Sequence, residues 1–174
     1  REDRRHINEN DLKNILNFVN IPVNLEIAAN SEMIEIATQY NPKFVCCVPE
    51  NRKEITTEGG LNLKKNENKI KKIISKFKKK KIRTSLFINP SLDDIKISKK
   101  IGTDCVEIHT GHFSNLIKSK KSYLKEFRRI EKSSILADSL SIEVHAGHGL
   151  DYKSTKLLTK IKQIKEFNIG HYLI

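Results

Sequence analysis

The sequence predicts a (β/α)8 barrel, on three observations. Six short β-rich runs recur along the chain, and nearly every gap between them carries an apolar stripe of helical period. No tight hairpin signal separates the runs, so the strands are parallel with right-handed crossovers. Polar residues gather near the C-terminal ends of several runs, where barrels of this kind place their chemistry, while the G-x-G-x-x-G turn of a doubly wound sheet is absent.

The elements follow in order. Asp11 to Val19 puts Leu12, Ile15, Leu16 and Val19 on one helical stripe, and the first strand runs from Val23 to Ala28. Ile34, Ile36 and Ala37 form the next stripe behind a cap at Ser31, ahead of the strand Phe44 to Val48. Lys64 to Lys81 sets Ile70, Ile73, Ile74 and Phe77 at i, i+3, i+4 and i+7, so one face is buried and lysines coat the other. The strand Arg83 to Ile88 leads through Pro90 into a shorter helix that Gly102 ends, and then into a strand from Cys105 to Thr110. A helix from about Ile117 to Leu136, a strand from Ser141 to Ala146, a helix from Thr155 to Phe167 and a last strand from Phe167 to Ile174 complete the series.

Composition narrows the class. No apolar run approaches the roughly 18 to 20 residues of a membrane-spanning helix. Cys46, Cys47 and Cys105 make neither a disulfide framework nor a zinc spacing, which fits a reducing cytoplasm, and no leader segment is visible. The formal net charge is +12, with 26 Lys and 7 Arg. Lys64 to Lys81 holds ten lysines and one acid, Glu67. Arginine, whose fork reads phosphates in pairs, is scarce, so the basic run reads as a solvated helix face with no nucleic-acid partner expected.

The chain opens on Arg1 without Met and stops in an apolar run at Ile174. It reads as one partial barrel domain over residues 1–174, an internal piece of a longer protein, because a whole barrel takes about 250 residues.

Several motifs carry chemistry. In Val144-His-Ala-Gly-His-Gly-Leu150 a strand ends in glycines that bracket His148, where backbone N–H groups can approach an anion and the imidazole can give a proton. Asn168-Ile-Gly-His171 repeats the arrangement on the next strand. Glu26 and Glu107 lie inside apolar strands, where a carboxylate is costly to bury and suited to acid or base work. Arg1 to His6 and Thr56-Thr-Glu-Gly-Gly60 are candidate anion holders or plain surface loops. His109-x-x-His112 and His145-x-x-His148 have no accompanying ligand at a zinc spacing, so no metal is expected.

Taken together, Arg1-Glu-Asp-Arg-Arg-His-Ile7, the run from Val48 to Leu61, Ser85-Leu-Phe-Ile88, Val106-Glu-Ile-His-Thr-Gly111, Ala146-Gly-His-Gly-Leu150 and Asn168-Ile-Gly-His171 resemble the pyridoxine 5'-phosphate synthase family. The resemblance covers the chain from end to end. It implies a cytoplasmic TIM-barrel transferase of vitamin B6 synthesis, a homo-octamer working without metal or organic cofactor. Such an enzyme joins 1-deoxy-D-xylulose 5-phosphate to 3-amino-2-oxopropyl phosphate, giving pyridoxine 5'-phosphate, inorganic phosphate and water. It further implies that Glu26 is a base, His148 an acid and Glu107 a stabiliser of the transition state. Arg1, His6 and Thr56 match positions that hold the deoxyxylulose phosphate, and Gly149, Gly170 and His171 match those that hold the amino-ketone phosphate.

The sequence departs from the family in two ways. The family's first strand, with an Asn and an Asp-His pair, lies upstream of Arg1, together with a histidine base and an arginine, and its closing helix lies beyond Ile174. The expectation is that the 174-residue chain alone has little or no activity. At His145 relatives commonly carry Asn. Two other functions are compatible with parts of the sequence. Another sugar-phosphate barrel enzyme would need a Schiff-base lysine on a strand, and no expected strand carries one. A basic nucleic-acid-binding module would use the lysine-rich helix.

Overall fold

The computed structural model describes residues 4, 6–49, 59–170 and 172–173. Among them the elements run α1 (Glu9–Phe18), β1 (Asn24–Ala28), α2 (Ser31–Tyr40), β2 (Phe44–Val48), α3 (Leu63–Lys79), β3 (Arg83–Ile88), α4 (Leu92–Ile101), β4 (Cys105–His109), α5 (Gly111–Lys118), α6 (Leu124–Ser139), β5 (Glu143–Gly147), α7 (Tyr152–Leu158) and β6 (Ile164–Asn168). All neighbouring strands pair in parallel, in the order β1-β2-β3-β4-β5-β6. This is the strand order of a TIM barrel, not closed among the described residues: β1 and β6 are its two edges.

Side chains alternate across each strand. Leu25, Ile27, Val45, Leu86, Ile88, Val106, Ile108 and Val144 belong to one apolar core with Ile34, Ile70, Phe77, Ile95 and Ile130 of the helices. The opposite parity is largely polar: Glu26 is in register with Cys46, Cys46 with Ser85, Phe87 with Glu107, and Glu107 with His145. One face of the sheet thus anchors the helices, and the other lines the interior.

The helix α3 follows its periodicity. Leu63, Ile70, Ile73, Ile74 and Phe77 are buried, each apolar side chain worth roughly 1.5–3 kcal/mol. All ten lysines from Lys64 to Lys81 are exposed. In α4, Ser91 accepts from Asp94 N at the start, and Gly102 takes φ +86° at the end, a conformation that suits glycine.

Three sequence expectations need correction. The cap of α2 is Asn30, whose side chain accepts from Met33 N, and Ser31 is the first helical residue. The segment from Ile117 to Leu136 is two helices, α5 and α6, because Lys120 adopts φ +53° and Lys121 N turns back to Leu116 O at 2.8 Å. The helix expected over Thr155–Phe167 stops at Leu158, and the last strand is Ile164–Asn168. Leu157, Leu158, Ile161 and Ile164 mimic a helical stripe, but Ile161 is buried in a turn and Ile164 opens the strand by pairing with Val144. Pairing with β5, through an irregularity at Val144/His145, overrides the local period.

Candidate active site

Because β6 ends at Asn168, its polar residues fall where a barrel places its chemistry. Asn168 becomes the last residue of its strand and Gly170 follows it, at the end where β4 and β5 finish in His109 and Gly147. The C-terminal ends of β4, β5 and β6 therefore converge on one region.

Its centre is Glu107, 4% exposed on β4. Asn168 Nδ2 donates to Glu107 Oε2 at 2.8 Å, and the Cys46 thiol donates to the same oxygen at 3.6 Å. Burial first, and then the negative charge of Glu26, push the Glu107 carboxyl up to about 7, against the two hydrogen bonds that lower it. Glu107 is thus able to hold or release a proton near neutrality. Glu26 shares its parity on β1 but is exposed, contrary to the burial expected from sequence, because β1 is an edge strand among the described residues. Burial likewise raises the Cys46 thiol, so Cys46 serves as a donor to Glu107.

Gly147 fits against this carboxylate: a Cβ there would run into Glu107 Oε1. The next residue, His148, is exposed and takes φ +78°, a strained conformation for a residue with a side chain. Thr110 holds the turn in place. Its N–H donates to Gly147 O at 2.8 Å, and its Oγ1 stands 2.7 Å from Gly147 O and 2.9 Å from His148 O. A threonine before a helix usually caps it. Here the hydroxyl is committed across the sheet, and α5 has no side-chain cap.

The His148 ring stacks on His109 with centroids 4.8 Å apart, and Phe87 packs edge-on against His109 at 5.1 Å. Glycines permit this packing. A Cβ on Gly111 would lie 2.8 Å from His109 and 2.9 Å from His148, and one on Gly59 would lie 2.9 Å from His109. Gly60 N donates to Asn89 Oδ1 at 3.0 Å, tying the end of the Thr56-to-Gly60 motif to the residue that follows β3. Gly149, at φ +75°, packs toward Gly111 and Ser114, and Ser114 Oγ is buried without a hydrogen-bond partner among the described residues. Backbone N–H groups, an uncapped helix start and an unsatisfied hydroxyl at one place suit an anion.

The fold therefore brings Glu26 within electrostatic reach of Glu107 and sets Glu107 against Gly147, the residue before His148 and Gly149, with Gly170 following Asn168. His6 is described and exposed. Its neighbour Arg4 is occupied by Glu9 and Glu32, at 2.7 and 2.8 Å. Arg1, Thr56 and His171 lie outside the described residues. Sequence reasoning passed over Asn168 and Cys46 as partners of Glu107, His109 as the partner of His148, and Thr110. Asn168 and Thr110 sat inside the recognised motifs, whereas the role of Cys46 depends on strand register. The corrected β6 contains one lysine, Lys165, whose exposed Nζ donates to Lys162 O at 3.2 Å.

Carboxylates inside parallel barrel strands and histidines at the strands' C-terminal ends, beside an anion-ready turn, are the equipment of a TIM-barrel enzyme that can move protons. Comparison with known proteins makes the class particular. The chain belongs to the family described as pyridoxal phosphate biosynthesis protein PdxJ, which it matches over residues 1–174. It is 61% identical to the pyridoxine 5'-phosphate synthase of Pelagibacter ubique, over 100% of this chain and 73% of that protein. It is 46% identical to the enzyme of the same name from Zymomonas mobilis, over 100% of this chain and 67% of that one. In fold it is similar to the CutC protein of Streptococcus agalactiae, with a TM-score of 0.62 at 11% identity, over 92% of this chain and 80% of that one. That likeness concerns the fold alone.

Proposed function

We propose that this protein acts as a pyridoxine 5'-phosphate synthase, condensing 1-deoxy-D-xylulose 5-phosphate with 3-amino-2-oxopropyl phosphate to pyridoxine 5'-phosphate, inorganic phosphate and water. The observation that carries the reading is Glu107, a buried carboxyl pushed up to about 7 beside a second carboxylate, in a chain of this family. The reaction needs imine formation, proton shuttling, loss of water and phosphate, and ring closure, all of which positioned acids and bases perform.

Glu26, open to the interior, takes protons from the condensing substrates. His148, displayed on a strained turn and stacked on His109, returns them to leaving oxygens. Glu107, gripped by Asn168, stabilises charge that develops during ring closure. Gly149, Gly170 and His171 hold the phosphate of the amino-ketone, a role supported by the anion-ready turn at Gly149. Arg1, His6 and Thr56 hold that of the deoxyxylulose. The chain contributes one barrel domain to a cytoplasmic homo-octamer. No described helix is long and apolar enough to cross a membrane.

The test is a chimera in which residues 1–174 replace the matching segment of the Pelagibacter ubique relative, which supplies the remaining strands. Product formation from both substrates is expected, with Glu26→Gln abolishing it while the circular dichroism spectrum stays unchanged. A folded chimera without product, or near-normal turnover in Glu26→Gln, overturns the reading.

A further inference from the structure

The N-terminal end of the barrel interior holds a second group of side chains that the proposed reaction does not use. Cys105 opens β4 and Glu143 opens β5, the two are in register, and His145 is the next inward position on β5. The Cys105 sulfur, a Glu143 carboxylate oxygen and a His145 ring nitrogen lie within 4.8 Å of one another. Cys105 and His145 are buried. His145 Nε2 meets Glu143 Oε1 at 2.9 Å. Its Nδ1 is also buried yet has no hydrogen-bond partner among the described residues, with Glu166 Oε1 standing off at 3.5 Å. A buried ring nitrogen whose nearest partner stands off at 3.5 Å is poorly satisfied, and here it leaves room for a ligand from outside the chain. Cys105, His145 and Glu166 also border a cavity of about 520 Å³ through which an ion can enter.

We propose that Cys105, Glu143 and His145 bind a divalent d-block cation of the zinc class, with Glu166 completing the set. Thiolate, imidazole and carboxylate are the donors such ions take, in tetrahedral geometry at about 2.0–2.3 Å. Ligand atoms at those bond lengths stand roughly 3.3–3.8 Å apart, so the group closes by about 1 Å on binding. The Cys105 S–H bond breaks, its proton passes to solvent and its electron pair forms the bond to the metal, with no change of oxidation state. Charge balances as well. The thiolate, Glu143 and Glu166 offset the cation together with the guanidinium of Arg83, whose Nη2 lies 2.8 Å from Glu143 Oε2.

Its position assigns the ion a structural role. The group sits at the strand ends opposite those that carry His109 and His148, the face of such barrels that serves stability. A bound ion would tie β4 to β5 through side chains.

Cobalt(II) titrated into the reduced 174-residue chain tests the site. One cobalt per chain is expected, with a thiolate-to-cobalt charge-transfer band and a rise in Tm when zinc(II) is added instead. Cys105→Ser should abolish the band, while Cys46→Ser and Cys47→Ser keep it. His145→Asn should weaken binding at least tenfold and serves as the second reading should Cys105→Ser fail to fold. A folded chain that shows no band at equimolar cobalt overturns the proposal, as does a band that survives Cys105→Ser or full affinity in His145→Asn.

Discussion

The rings of His109 and His148 lie stacked, 4.8 Å between centroids and 23° from parallel, although they come from different strand ends separated in sequence by a two-helix crossover. The contact fixes the direction in which the exposed His148 presents its nitrogens. Gly111→Ala, whose Cβ would press on both rings, should lower kcat of the chimera by about 10² with a smaller change in KM. His148→Asn should cost on the order of 10²–10⁴. Steady-state kinetics on folded variants check both.

Glu107 makes stability depend on pH. Its carboxyl holds a proton up to about 7 when folded, against an ordinary value of 4.5. The folded state therefore binds more protons than the unfolded state between those values, and stability falls as pH rises through that window. The full loss is roughly 3 kcal/mol and is complete above about pH 7. Glu107→Gln should remove this slope, leaving the variant more stable than the parent at pH 8 and similar at pH 4.5. Urea unfolding at the two pH values checks it; an unchanged slope would refute the assignment.

Gly147 is where Glu107 needs room. Gly147→Ala should displace the carboxylate from Asn168 and reduce turnover at least as much as Glu107→Gln, although alanine is otherwise well tolerated in a strand. Turnover of the two variants, compared in the chimera, decides the point.

The lysine-rich helix should respond on one face only. Phe77→Ala, at a fully buried position, should cost about 3–5 kcal/mol. Neutralising Lys78, Lys79, Lys80 and Lys81 to Gln should change stability by less than about 1 kcal/mol and leave turnover unaffected. Denaturant midpoints separate the two outcomes.

How much of this was legible in sequence differs by residue. Ile70, Ile73, Ile74 and Phe77 announced their buried face because a helix repeats its contacts locally. Phe44–Val48 and Arg83–Ile88 were readable to the residue: the first is a continuous apolar run between Lys43 and Pro49, and the second is a β-rich run between the lysines that end at Lys81 and the Asn89-Pro90 pair. Ile164 was misread because four apolar residues at helical spacing say nothing of the strand that waits at Val144. Glu107 was found as a carboxylate in an apolar strand, but its grip by Asn168 and Cys46 arises from register between strands far apart in sequence. The same holds for Cys105 and Glu143, which no spacing rule joins.

The hydroxyl of Thr110 acts as a caliper. It is rooted one residue beyond the strand that carries Glu107, and it clasps the carbonyls of Gly147 and His148. The gap between carboxylate and imidazole is thereby set by one short polar link instead of by the sum of a long crossover. Whatever the intervening helices accumulate in substitutions, the carboxylate and the imidazole keep their spacing as long as that link remains.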